Sequence, residues 1–284
     1  METGYARYEQ KVAPTQRVDA WNEIATGWHE WIPDMHRWYL PATDLMLDLA
    51  HIEIGDRILD VAAGDCDQSI EAAKRVSPKG YVLAIDLAPD MLEIGAQVAR
   101  ASGLCHIETR VMDAQNLDLP EASFDAAICR FGLMLLPDPI GALKGISRVL
   151  AHGDRVSIVV YADRGDPEFV TAVSVVRRLL GWGTYPSSAK DLGTPEGLQR
   201  TLESGGLRNV ESHLLHLPVI LDSAHECVRY LQVTSPTLVD MVSQMSFDNQ
   251  RKAWEEVEEA LVMYEDNGRF EVEHRVIVAG GSAM

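Results

Sequence analysis

The chain is short of cysteine pairs, basic runs and long apolar runs, and its one nucleotide-like turn is short of glycine. Its four cysteines, Cys66, Cys105, Cys129 and Cys227, lie far apart with no C-x-x-C pattern and no histidine cluster beside them. That spacing excludes a zinc-binding cysteine motif, and no metal is expected. It points instead to reduced, mostly buried thiols in a cytoplasmic protein. No stretch of Lys and Arg offsets a formal charge of −18, from 43 acidic and 25 basic residues. So acidic a surface repels phosphate backbones and anionic membranes, so nucleic acid is not an expected partner. No apolar run reaches the roughly 18 residues of a membrane span. The opening residues METGYARYEQ carry no apolar h-region, so a secretory leader is not expected.

What is present is a core-forming chain of 284 residues with 46% hydrophobic content, enough for one large core or a core with a small subdomain. Short β-rich apolar runs at 57–62, 80–85, 106–111, 124–129 and 155–161 alternate with helical stretches at about 68–77, 89–102 and 139–150. Strands alternating with helices predict a parallel sheet covered on both faces. Pro89 and Pro139 suit first helical turns, Asp138 suits an N-cap, and Gly153 with Asp154 marks a turn into the fifth strand.

The flanks read differently. Residues 15–50 are expected to be helical, with Trp21, Ile24, Trp28, Trp31, Met35 and Trp38 three and four apart. This stripe packs an amphipathic helix on the body, and Trp28, Trp31 and Trp38 would also suit the wall of a pocket for a flat or apolar ligand. Helices are further expected at 166–180, 195–204 and 222–266, a mobile loop over GWGTYPSSAKDLGTP, and strands at 208–217 and 269–279, the last antiparallel at a sheet edge.

The chemistry concentrates around ILDVAAGDCDQSIEAA, residues 58–73, a strand, a tight turn and a helix start. Such a turn aims backbone amides and a helix N-terminus at a ligand. Asp86 ends the second strand 22 residues after Gly64, near where a carboxylate binds ribose hydroxyls in dinucleotide folds. Asp113 follows the third strand and Arg130-Phe131 the fourth, so Asp60, Asp86, Asp113 and Arg130 are all expected at one sheet edge. Asp65 and Asp67 flank the turn and favour a ligand with cationic parts over a pyrophosphate.

With ILDVAAGDCDQS, LAIDLAPDML, RVMDAQNLDLPEASFDAAICRFGLMLLPDP and ALKGISRVLAHGDRVSIVVY in view, the chain resembles the class I S-adenosylmethionine-dependent methyltransferases, in the small-molecule branch that includes quinone-biosynthesis enzymes. The resemblance is dense over 58–161 and loose at both ends. It implies an α/β fold with a Rossmann-like doubly wound, seven-stranded, mostly parallel sheet whose last strand is antiparallel. The expected segments are an N-terminal helical lid (1–50), a cofactor-binding core (51–164), a lid loop, helix and sixth strand (165–217), a helical insertion (218–268) and a closing strand (269–284). S-adenosyl-L-methionine is the implied cofactor. Asp60 and Gly64 would shape the turn around its methionine part, Asp86 would bind the ribose, Leu87 would pack on adenine, and Ala62, Cys66 and Met91 would also belong to the cofactor site. Asp113 would accept the adenine amino group with the Ala114 amide nearby, and Arg130 and Phe131 would lie beside the methyl donor.

The family's acidic-x-Gly-x-Gly-x-Gly turn here reads Asp60-Val-Ala62-Ala-Gly64-Asp-Cys66. Ala62 adds one methyl group. Cys66 brings a Cβ and sulfur to where backbone would approach ligand, and a left-handed backbone there costs on the order of 1–2 kcal/mol. The expected activity is O- or C-methylation of a small apolar or aromatic metabolite, with His29, His36 and Tyr39 as candidate bases. The alternatives are a cyclase or isomerase that no longer methylates, motivated by Cys66, and a non-catalytic scaffold.

Overall fold

The computed structural model describes residues 14–163, 166–182 and 192–284. The middle of the expected mobile loop lies outside the described residues. Two compact units emerge.

The larger unit comprises residues 34–163, 192–215 and 275–284. Its sheet is built from β1 (Arg57–Val61), β2 (Tyr81–Asp86), β3 (Ile107–Val111), β4 (Phe124–Arg130) and β5 (Leu150–Tyr161), together with parts of β6 (Leu207–Leu221) and β8 (Arg269–Ala283). The strand order is β3-β2-β1-β4-β5-β8-β6. The first five strands are parallel, with Asp60 opposite Ala84, Asp86 opposite Val111 and Arg130 opposite Val159. β8 runs antiparallel to β5, pairing Tyr161 with Val276. Helices α2 (Ile32–Leu49), α3 (Asp67–Val76), α4 (Pro89–Ala101), α5 (Pro139–Val149) and α7 (Pro195–Ser204) complete the unit.

The centre of this sheet is apolar on both faces. Ile58, Leu59, Val61, Val82, Ala84, Ile85, Ala127 and Ile128 are fully buried, as parallel strands under helices require. The strand order reverses between β1 and β4, and in open α/β sheets that switch point opens a crevice beyond the strand carboxyl ends. Asp138 caps α5, accepting from the Gly141 amide at 2.9 Å. Among the described residues no helix is long and apolar enough to cross a membrane.

The smaller unit comprises residues 14–33, 166–182 and 216–274. It holds α1 (Pro14–Glu30), α6 (Pro167–Leu180), α8 (Ala224–Thr234), α9 (Pro236–Ser243) and α10 (Phe247–Leu261). Helix α10 packs on α6 and α8, burying Val257 and Leu261. Trp31 meets Tyr230 edge-on, with ring centroids 5.3 Å apart.

Three expectations are corrected. Residues 15–50 form two helices, not one. Pro33 follows the break at Trp31, and with no N–H it cannot continue the ladder. Trp28 is therefore half-buried on α1, where it meets Trp21 edge-on at 5.6 Å, while Trp31 and Trp38 are core residues of different units. Residues 222–266 form three helices, because Pro236 starts α9 and Ser246 precedes α10. The end of that stretch is no helix. Glu265–Asp266 (β7) pairs with β8 across Asn267-Gly268, both at positive φ, which is the two-residue hairpin turn that Asn-Gly favours. The sixth strand also runs on to Leu221, keeping its alternating burial past Pro218 at the sheet edge.

Candidate active site

The turn after β1 takes left-handed backbone at every second residue: Ala62 at φ 55°, Gly64 at 54° and Cys66 at 64°. Only glycine adopts this freely, so Ala62 and Cys66 each carry a strain of about 1–2 kcal/mol. What holds the turn is visible around it. The Asp86 carboxylate accepts from the Gly64 amide and from the Ala88 amide, both at 2.9 Å. Asp60, fully buried, accepts from Ser69 Oγ and from Gln68 Nε2 (3.2 Å), tying β1 to the first turn of α3. Burial pushes the Asp60 carboxyl up to about 7 despite those bonds.

The concern over the Cys66 sulfur is also corrected. The side chain is fully buried and packs with Ala63, Ala84 and Leu92. A Cβ on Gly95 of α4 would come within 2.6 Å of Sγ and 2.5 Å of the Asp65 carbonyl oxygen. The sulfur thus fills the space that Gly95, lacking a side chain, leaves beside it. Ala62 has a counterpart: a Cβ on Gly132 would sit 2.4 Å from the Ala62 methyl. Burial raises the Cys66 thiol well above its ordinary value, which opposes a reactive thiolate.

At the end of β4, Arg130 extends into a closed network. Its guanidinium donates to Asp67 Oδ2 and to Thr43 Oγ1 of α2, both at 2.8 Å. The other oxygen of Asp67 meets His36 Nδ1 at 2.7 Å, and His36 Nε2 lies 3.8 Å from Glu71. Burial alone would raise Asp67, but Arg130 and His36 override it and hold the carboxyl at about 2. Its hydrogen bond to Asp67 raises His36 above its ordinary value. Asp65, also buried, is pushed up to about 6 by burial and by the charge of Asp67. Asp67, expected with Asp65 to favour a ligand with cationic parts, thus has both carboxylate oxygens paired within the chain, with Arg130 and His36.

Beside this network lies an aromatic cluster. Phe131, at φ 60°, stacks on Tyr161 at 4.4 Å and 14°, and Tyr39 meets Phe131 edge-on at 5.0 Å. The Tyr39 and Tyr161 hydroxyls share a hydrogen bond of 2.7 Å.

The remaining expected residues distribute as follows. Leu87 is 40% exposed next to Asp86. Met91 is buried, with its Cε 3.7 Å from where a Gly64 Cβ would stand. Asp113 accepts from the Gln115 amide at 2.9 Å, and Ala114 is buried. His29 is exposed at the end of α1, in the other unit from all of these. The donor set suits the implied nucleoside: two carboxylates at adjacent strand ends, each already oriented by backbone amides, with an exposed apolar side chain beside Asp86.

The family described as "Methyltransferase domain" matches residues 58–153. Aklanonic acid methyltransferase DauC of Streptomyces sp. (strain C5) is 30% identical over 189 residues, covering 59% of this chain and 82% of that protein. The chain belongs to the S-adenosylmethionine-dependent methyltransferases. The demethylmenaquinone methyltransferase of Listeria welshimeri is 31% identical over 113 residues, 40% of this chain, and there the match spans about half of the relative's length (48%). The YcgJ protein of Bacillus subtilis shares the fold with a TM-score of 0.56 at 18% identity, covering 85% of this chain and 97% of that one.

In this methyltransferase, sequence reasoning missed Thr43, Tyr161, Gly95 and Gly132. Nothing near them in the chain signals their partners, since Arg130 and Thr43 are 87 residues apart and Tyr39 and Tyr161 are 122 apart.

Two outcomes are expected. With an aromatic disulfide reagent the folded enzyme should show one fast thiol, the exposed Cys105, and four thiols in denaturant. Fast labelling of Cys66, read by peptide mass, would contradict the enclosed sulfur. Asp67→Asn should lower unfolding free energy by about 3 kcal/mol or more, because it strands a buried guanidinium. Because Asp67 is held at about 2, below its ordinary 3.8, its contribution is complete above the ordinary value and fades as pH falls through 2. Urea titrations from pH 5 down to 2 should therefore show a shallower acid loss in Asp67→Asn than in the wild type.

Proposed function

We propose that this enzyme methylates an oxygen or carbon of a small apolar or aromatic metabolite. The single observation that supports it best is the Asp86 carboxylate, tied to the Gly64 and Ala88 amides at the mouth of the strand switch point. A carboxylate fixed in this way is oriented to accept hydroxyl hydrogens of a ribose with little further ordering. In this reading Leu87 and Met91 flank the adenine, Asp113 and the Ala114 amide face its polar edge, and the turn from Asp60 through Gly64 follows the methionine part. The bound cofactor supplies an electrophilic methyl group on its sulfonium.

The protein's own work is positioning. Phe131 and Tyr161 offer π-faces that suit a sulfonium and a flat acceptor. His36 is held toward its protonated form by Asp67, so it serves better as a clamp on the turn than as a proton acceptor. His29 has no part in this reading. The relatives' acceptors, aklanonic acid and demethylmenaquinone by name, support a small-molecule acceptor here. The cyclase or isomerase alternative was motivated by Cys66, whose sulfur is enclosed; the [4+2]-cyclase SpnF has the same fold, with a TM-score of 0.52 at 19% identity, which is consistent with that alternative.

Calorimetry tests the cofactor half of this proposal. S-adenosylmethionine and S-adenosylhomocysteine should bind with micromolar affinity, about −8 kcal/mol, and Asp86→Ala should weaken both at least about tenfold. Absence of binding at millimolar ligand would refute it. Labelled methyl transfer into a set of phenolic and quinol acceptors would then test the acceptor class.

A further inference from the structure

In the smaller unit, far in sequence from the crevice residues, we propose that Asp166, Glu168 and His274 form a binding site for one first-row divalent cation. Asp166 precedes α6, Glu168 lies in its first turn, and His274 sits on β8. His274 Nε2 is 2.6 Å from Glu168 Oε1, and His274 Nδ1 is 3.6 Å from Asp166 Oδ1. One ligand atom from each residue falls within 4.8 Å of the other two. Metal–ligand bonds of about 2.0–2.2 Å place neighbouring ligands roughly 3–4 Å apart, so small side-chain shifts would close the set around an ion.

A second observation points the same way. Glu168 is only 1% exposed, and its Oε2 has no hydrogen-bond partner. A buried carboxylate oxygen left in that state is costly unless something cationic meets it. Cys227 and Tyr230 of α8, both buried, lie within electrostatic reach of the two carboxylates. Asp166, with 15% of its side chain exposed, gives the ion its way in. One imidazole nitrogen with carboxylate oxygens suits manganese, iron or zinc. The ion's role is structural: it pins the start of α6 to β8. The spacing of 166, 168 and 274 matches no sequence motif, which is why no ligand set was expected. This site does not depend on the methyl-transfer proposal.

The test uses the full chain, stripped with chelator, desalted, then loaded separately with Zn²⁺, Mn²⁺ or Co²⁺. Elemental analysis after gel filtration should find about one equivalent per chain, with a melting temperature several degrees higher. Glu168→Gln should weaken retention at least about tenfold while S-adenosylmethionine binding, a control on folding, is unchanged. His274→Gln should do the same. Should that variant fail to fold, an imidazole N–H resonance shifted by Co²⁺ in the wild type reports the same ligand. No retained ion and no thermal shift would overturn the proposal in favour of a closed histidine–carboxylate ion network. Equal retention by wild type and Glu168→Gln would overturn it in favour of binding elsewhere on an acidic protein.

Discussion

The buried pair of Arg130 and Asp67 is the contact on which the site depends. It joins the end of β4 to the first residue of α3, and through Thr43 and His36 it reaches α2 as well. Each charge alone would be a heavy liability at that depth. Together they let the chain place a cation and a carboxylate beside the strained turn without leaving either for solvent or ligand to satisfy. The turn then presents what lies on its other side: the Asp86 carboxylate with its two amide partners and the exposed edge of Leu87.

The turn also shows how a fold keeps a backbone shape while losing the glycines that usually permit it. Positive φ persists at Ala62 and Cys66, and the space for their side chains comes from glycines elsewhere. Gly132 lies against the Ala62 methyl and Gly95 against the Cys66 sulfur. The strain is local, whereas its accommodation is spread over α4 and the residues after β4. Reading the turn as a string of one-residue substitutions therefore overstates the obstruction, because the missing volume is found by neighbours that the string does not contain.

The same division separates what was legible in the sequence from what was not. The strand–helix alternation from 57 to 161 could be read because the central strands β1, β2 and β4 are mostly buried on both faces and two of the three helices begin at a Pro, one of them behind a capping Asp. The convergence of Asp60, Asp86 and Arg130 followed from strand order alone. Local punctuation was legible but passed over: Pro33, Pro236 and Asn267-Gly268 break patterns whose apolar periodicity runs straight through them. Partners across the fold were not legible. Tyr161 with Tyr39, Thr43 with Arg130 and His274 with Glu168 meet only because the sheet brings distant segments together, and no spacing encodes those meetings.

The central claim is that a cofactor cradle exists at residues 62–66 and 86–88 despite alanine and cysteine in its glycine positions. Backbone amide hydrogen exchange, followed with and without saturating S-adenosylmethionine, tests it most directly. The account predicts that slowing of about tenfold or more gathers at 62–66, 86–88 and 113–114. Binding of the cofactor with these amides unchanged, and protection appearing elsewhere, would contradict it.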